Sequence, residues 1–340
     1  MTTVTLSMVA NAAKVSISTA SRVLNNSEVR IPISAKTRER VQQAALGLGY
    51  LPSAAARALR KGKSRTISVL GTSPQFFQHY GGQADFFRGE AVNGLLNAAV
   101  ETGYHLTLLT GTETAAETGG VMMDIGVADG LLVLNRDVQP ETKLSRMLHV
   151  FPKPFVYALS YPNDPNACVV APNDTGGGRL ATQTLLNAGH RRIGFARMPG
   201  FKDIFDRRQR GWAEALQQAG LRPDPAWVLE PLEPNPEQLK ATRVTAVVCA
   251  NLGIARRYKA AGEAMGMSIP GDLSVVAFGH VTHEGTTPFE FSAVVDPLRK
   301  IIGESLNMLV QLVEGRHAGP RQQFSEFIFR EGSTLAEPRG

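Results

Sequence analysis

The sequence predicts an all-α head over residues 1–52, followed by an α/β core built from two doubly wound parallel-sheet lobes. Three observations predict it. The chain has 340 residues, too many for one compact core. Apolar residues recur at helical spacing as far as Leu48, then give way from Thr66 to short strand-like runs alternating with amphipathic stretches. Charge divides in the same place. Residues 1–65 hold eleven basic and two acidic groups, so with +6 overall the remaining 275 residues carry −3. A basic head on a mildly acidic body points to a polyanionic partner for the head.

Taking the elements in order, Leu6 to Ala13 places Leu6, Val9, Ala10 and Ala13 on one helical face. Ser16 is a suitable N-cap for a second helix running to about Asn25. Ala20, Val23 and Leu24 would face the first helix, and Ile17, Ser18, Ser21, Arg22 and Asn25 would face outward. Only Ala13-Lys14-Val15 separates the two helices, so they must cross steeply, as in a helix-turn-helix. The turn calls for positive φ, which at Lys14 costs roughly 1 kcal/mol. A third helix fits Ser34 to Gly47, with Ser34 and Thr37 at capping spacing and Val41, Ala44, Ala45 and Leu48 on one face. Pro52 breaks the chain, Ser53 can cap again, and Ala54 to Arg60 makes a helix too short to be stable alone in water.

From Thr66 the runs TISVLG, YHLTLLTG, DGLLVLN, PFVYALS, ACVVA, RRIGFA, TAVVCA and LSVVAFG read as buried strands. Between them lie GLLNAAVETG, GGRLATQTLLNAG, RGWAEALQQAG and ARRYKAAGEAMG, which read as helices. Strand alternating with helix means a parallel sheet, and the series is long enough for two. No apolar run approaches a membrane span, and MTTVTLSM has no secretory pattern, so the expected location is the cytoplasm. Cys168 and Cys249 sit in strand-like runs and read as reduced core residues.

The segments TLSMVANAAKVSISTASRVLNN, SAKTRERV, LGYLPSAAARALRKGKS, DGLLVL, GGGRLATQTLLNAGHRRIGF, RQRGWAEALQQAGL, IPGDLSVVAF and FREGST, in this order, resemble the LacI/GalR family of bacterial transcription regulators over nearly the whole chain. The resemblance implies a helix-turn-helix DNA-binding head (1–52), a hinge helix and linker (53–64), and a periplasmic-binding-protein-like core (65–340). Lobe 1 would comprise about 65–171 and 296–328, and lobe 2 about 172–295 and 329–340. It implies a homodimer on a near-palindromic double-stranded DNA operator, controlled by a small-molecule effector between the lobes. No leucine heptad follows Arg330, which favours a dimer over a tail-made tetramer.

By the same resemblance Ile17, Ser18 and Arg22 are the base-reading positions, with Arg22 suited to a bidentate guanine contact. Thr5, Leu6, Ser7, Ser16, Thr19, Ser21, Asn25, Thr37, Tyr50 and Ser53 fall at phosphate or positioning contacts. Leu59, with Ala56 one turn earlier, matches the family's minor-groove wedge. A helix lying in the major groove among phosphates also explains why Val9 to Asn26 contains no carboxylate.

For the effector, Arg208 matches the family arginine three residues before Gly211, and Asn251 matches the first member of an Asn-Asp pair whose second member is here Leu252. After SVVAF the family usually has a ligand-binding Asp; this chain has Gly279 and then His280. Thr72, Phe76, Phe77 and Asp296 complete the expected pocket. A site that keeps its cation and loses carboxylates suggests a sugar acid or another carboxylate as effector. Other patterns carry less. Asp174-Thr175-Gly176 lacks the second copy an aspartic protease needs, and His280 with His283 lacks a metal ligand set. Gly176-Gly177-Gly178 opens a helix without either nucleotide-motif spacing. The expectation is therefore a non-enzymatic regulator with no cofactor, no metal and no membrane. The alternative is a metabolite-binding protein or α/β enzyme with a basic accessory head.

Overall fold

A computed structural model describes residues 4–25, 33–50, 62–71, 84–109, 128–134, 143–197, 202–229, 234, 236–279 and 290–339. The short helix expected after Pro52, with Ser53, Ala56 and Leu59, lies outside the described residues, as do Thr72, Phe76, Phe77, His280 and His283. The chain divides into two compact units, Met1–Arg65 and Thr66–Gly340.

Among the described residues the head has three helices: α1 (Leu6–Ala12), α2 (Ile17–Leu24) and α3 (Ala35–Leu48). Each begins on a hydroxyl cap. Thr5, Ser16 and Ser34 accept from the amides of Met8, Thr19 and Thr37, satisfying donors that a helix start leaves without partners. Lys14 turns the chain at φ 51, the left-handed conformation the short connection demands. Val9, Ala10, Ala13, Ala20, Val23, Val41 and Ala45 form the core, where small side chains let the helices cross closely. Arg40 donates from Nε to the carbonyl of Ala13 at 2.8 Å, tying α3 to the end of α1. The third helix runs one residue further than its periodicity indicated, because Gly49 at φ 68 supplies the left-handed stop.

The core holds two six-stranded sheets among the described residues. The first contains β1 (Thr66–Leu70), β2 (His105–Leu109), β3 (Gly130–Leu134), β4 (Phe155–Ala158), β5 (Val169–Pro172) and β11 (Gln322–Ser325), in the spatial order β11-β5-β4-β3-β1-β2. The second contains β6 (Ile193–Ala196), β7 (Val228–Leu229), β8 (Ala246–Cys249), β9 (Ser274–Phe278), β10 (Ser292–Val295) and β12 (Ile328–Arg330), ordered β12-β10-β9-β8-β6-β7. All pairings are parallel except β10 with β12. The apolar runs are continuous because helices cover both faces. Cys168 and Cys249 are buried and free.

Among the described residues the helices of the core are α4 (Ala84–Thr102), α5 (Lys143–His149), α6 (Asp174–Asn187), α7 (Lys202–Gln218), α8 (Pro236–Thr242), α9 (Leu252–Ala264) and α10 (Leu298–Val313). Two close approaches position the site. A Cβ on Gly178 would lie 2.0 Å from the carbonyl oxygen of Arg208, and one on Gly211 would lie 1.9 Å from that of Thr175. The backbones of α6 and α7 therefore touch. One on Gly177 would strike Phe327 and Phe278. The triple glycine is thus a packing device.

The chain passes between the sheets three times: from β5 into α6, from β10 into α10, and from β11 to β12. The first and third passages are bonded together. The amide of Asn173 donates to the Ser325 carbonyl at 2.8 Å, and its side-chain Nδ2 donates to Glu326 at 2.8 Å.

Candidate functional site

Two surfaces carry the chemistry, one on each unit. On the head, α2 presents Ile17, Ser18 and Arg22 to solvent. At about 100° per residue the three span an arc of about 140°, and Ile17 to Arg22 covers ~7.5 Å of axis. That is about two base-pair steps. At the start of the helix the Ser16 hydroxyl lies 2.9 Å from that of Ser18 and 2.8 Å from that of Thr19. Thr5 and Ser7 are also exposed, while Leu6, Thr19, Asn25, Thr37 and Tyr50 are half-buried. Leu6 and Tyr50 pack against the head core. Ser21 corrects the sequence reading. It is buried rather than outward-facing, and Asn25 Nδ2 donates to its carbonyl at 2.7 Å and its hydroxyl at 3.2 Å. At about 40° from Ile17 it lies within the arc of Ile17, Ser18 and Arg22, and the Asn25 side chain, one turn on, is bonded to it.

On the core, register gathers the second surface at the C-terminal edge of the second sheet, where open parallel sheets bind ligands. Val247, Val248 and Cys249 pair with Val275, Val276 and Ala277, and Val276, Ala277 and Phe278 pair with Ser292, Ala293 and Val294. Asn251 and Gly279 therefore leave the sheet side by side, with Asp296 just beyond Val295. Asn251 caps α9 by accepting from the Ile254 amide at 2.9 Å. Gly279 sits at φ 140, a conformation side chains rarely adopt, so the backbone itself disfavours the aspartate that the resemblance leads one to expect there. Asp296 is buried and also lines a concavity between α4, α10 and β12.

Arg208 is 5 % exposed. Its Nε donates to Asp174 Oδ1 at 2.7 Å, its Nη1 to the Ala250 carbonyl at 2.7 Å, and its guanidinium lies 4.0 Å from the Phe278 ring centroid. For Nη2 there is no hydrogen-bond partner among the described residues. Asp174, 1 % exposed, was read from sequence only as part of a rejected protease motif. Here it is a buried carboxylate on the very cation thought to lack one. The single proton of the Tyr161 hydroxyl is shared between Asp174 Oδ2, at 2.7 Å, and the Pro172 carbonyl. Burial, then the charge of Asp174, raise the Tyr161 pKa well above its ordinary value, so the phenol stays a donor. Arg207 lies 4.0 Å over the Tyr161 ring. Ser160 follows β4 of the first sheet with its hydroxyl fully buried and without a hydrogen-bond partner among the described residues.

Asp174, Tyr161 and Arg207 were missed as site residues because 13 and 34 residues separate the bonded pairs. The available signal was Gly178 with Gly211, small residues on successive helices. Among the described residues no group of His, Cys, Asp and Glu is arranged to hold a metal ion, and no helix is long and apolar enough to cross a membrane.

Residues 5–53 match the family of bacterial regulatory proteins called the lacI family, and residues 182–333 match the periplasmic binding protein-like domain. The chain is 27% identical to the Escherichia coli HTH-type transcriptional repressor CytR, covering 99% of this chain and 98% of that one. Among solved structures it resembles the transcriptional regulator CelR–cellobiose complex, with TM-score 0.67 and 27% identity over 98% of this chain and 100% of that one. It also resembles the lac repressor dimer bound to operator and the anti-inducer ONPF, with TM-score 0.77 and 21% identity over 98% and 100%.

Proposed function

We propose that this chain is a transcriptional repressor of the lacI family, in which a homodimer holds a near-palindromic operator and answers to a small metabolite between the lobes of its core. Its relatives are regulators, not enzymes, and it stands with them. The proposed division is a DNA-binding head, a hinge segment over 53–64 and an effector core, acting on DNA in the cytoplasm. The observation that carries the reading is the exposed face of α2. It offers Ile17, Ser18 and Arg22 with no carboxylate, on a helix held by a tight turn at Lys14. Arg22 supplies a guanine contact and Ile17 an apolar contact to a thymine methyl.

A stripe on lobe 1 supports the homodimer. Val92, Leu96 and Val100 repeat every fourth residue along α4 and are 41, 55 and 84% exposed, and Leu108 on the edge strand β2 is 47% exposed. An apolar stripe this exposed suits a self-complementary twofold contact. Leu96→Glu is expected to yield monomers on size exclusion with unchanged far-UV circular dichroism.

The effector reading changes in one respect. Asp174 neutralises Arg208, so the surplus positive charge that favoured a carboxylate rests instead on Arg207. We therefore propose a hydroxylated effector whose oxygens take Arg208 Nη2 and Asn251, with any acidic group directed to Arg207. The Ser160 hydroxyl, buried without a partner among the described residues, supports a polar occupant.

The experiment is enrichment of random duplexes on the full-length chain, followed by fluorescence anisotropy with the selected sequence at several salt concentrations. Arg22→Ala should lose roughly 1–3 kcal/mol of discrimination while keeping nonspecific binding. Failure to enrich any sequence, or an Arg22→Ala variant that discriminates like the parent, refutes the assignment. A thermal-shift panel of D-ribose, cellobiose and D-gluconate then separates neutral from acidic effectors.

A further inference from the structure

Tyr161 is the one residue, among those described, that packs on the hydrophobic cores of both lobes. It follows β4 of the first sheet, and its ring lies flat on Phe324 of β11, with centroids 5.9 Å apart and planes at 17°. The ring also meets a cation of the other lobe. That contact is the Arg207 guanidinium, from α7 of the second lobe, 4.0 Å from the ring centroid. The hydroxyl reaches Asp174 at the start of α6, and the backbone amide of Asp174 donates back to it at 3.2 Å. One side chain is thus stacked on one lobe, capped by a cation of the other, and hydrogen-bonded at the passage between them. The remaining oxygen of Asp174 holds Arg208.

We propose that Tyr161 is an interlobe latch that fixes the angle between the lobes, and that Asp174 links this latch to Arg208. The linkage rests on the effector reading above; the latch itself does not. Asp174 divides its two oxygens between Arg208 and Tyr161, so a ligand that draws the guanidinium toward itself changes what Asp174 offers the phenol. The Arg207 contact responds to the same displacement, because Arg207 and Arg208 are neighbours on α7. Tyr161 is a positioning residue here and touches no ligand.

The test needs neither operator nor effector. Spin labels are placed at His149→Cys on α5 of lobe 1 and Gln218→Cys on α7 of lobe 2, both exposed positions. The full-length chain is spin-diluted with unlabelled chain, so that pulsed dipolar spectroscopy reads only distances within one protomer. The chain without added cysteines controls for Cys168 and Cys249. The parent should give one narrow distance distribution. Tyr161→Phe, which keeps the ring and removes the hydroxyl, and Arg207→Gln, which keeps the hydroxyl and removes the cation, should each broaden or shift it while circular dichroism stays unchanged. Distributions superimposable on the parent in both variants overturn the proposal. If one variant fails to fold, the other decides. A chain that binds no operator yet shows the broadening keeps the latch and loses the regulator reading, so the two failures are distinct.

Discussion

Removing Arg208 should damage the core far more than its single position suggests. Arg208 and Asp174 are paired at 2.7 Å with side chains 6% and 1% exposed. Arg208→Ala leaves a carboxylate buried with only the Tyr161 hydroxyl on its far oxygen, and leaves the Ala250 carbonyl without its donor. Breaking a buried pair from one side costs about 3–5 kcal/mol. A domain of this size loses ~2–4 °C for each kcal/mol, so the melting temperature of the core should fall by roughly 6–20 °C. The comparison is Glu214→Gln. It breaks the Arg179–Glu214 pair, whose side chains are 43% and 33% exposed, and such a pair is worth about 1 kcal/mol or less. Urea unfolding of both variants, with Arg208→Met/Asp174→Leu to remove both charges together, gives the assay. The double variant should recover most of the loss, because the main penalty is the stranded charge and not the missing bond. If Arg208→Ala and Glu214→Gln lose the same stability, the buried pair does not have the character assigned to it.

Three further outcomes follow from particular residues. Lys14→Gly should stabilise the head by about 1 kcal/mol, seen as a higher unfolding midpoint of the full chain's head transition, since φ 51 strains lysine and suits glycine. Gly178→Ala should cost more than a usual core substitution, about 3 kcal/mol or more by urea unfolding, because the new methyl would stand 2.0 Å from a backbone oxygen that cannot turn aside. His190 gives a pH dependence. It is buried between Thr245 and the Ala336 carbonyl, and burial lowers its pKa from the ordinary 6.5. The unfolded chain therefore takes the proton first as pH falls, so this contribution to stability is complete above the unfolded value and is lost below it. Urea midpoints at pH 7.5 and 5.5 should differ less in His190→Asn than in the parent; an equal difference removes His190 as the cause.

Much of the head was legible because its determinants are local. Ser16 and Ser34 announce helix starts by chemistry that acts over three residues, and the short Ala13–Val15 link forces the turn at Lys14. The alternation of strand and helix also showed the doubly wound sheets, since buried parallel strands leave continuous apolar runs. The site in the core was legible only where a resemblance pointed, at Arg208, Asn251, Gly279 and Asp296. Its partners were not, because Tyr161, Asp174 and Arg208 are brought together by folding and carry no mutual spacing. Ser21 was misplaced for a milder reason. Its angle is that of the outward face, and it is the Asn25 side chain bonded to it one turn on that periodicity does not carry.

The contact between α6 and α7 has a consequence for how such a protein can change over evolutionary time. Gly178 and Gly211 bring two backbones together, so the spacing of Asp174 and Arg208 is set by main chain and not by side chains that drift one at a time. Substitutions that would widen or narrow this spacing meet a carbonyl oxygen. If the effector binds as proposed, new preferences are expected at the rim, at positions such as Arg207 or Asn251, while the ion pair beneath keeps its spacing.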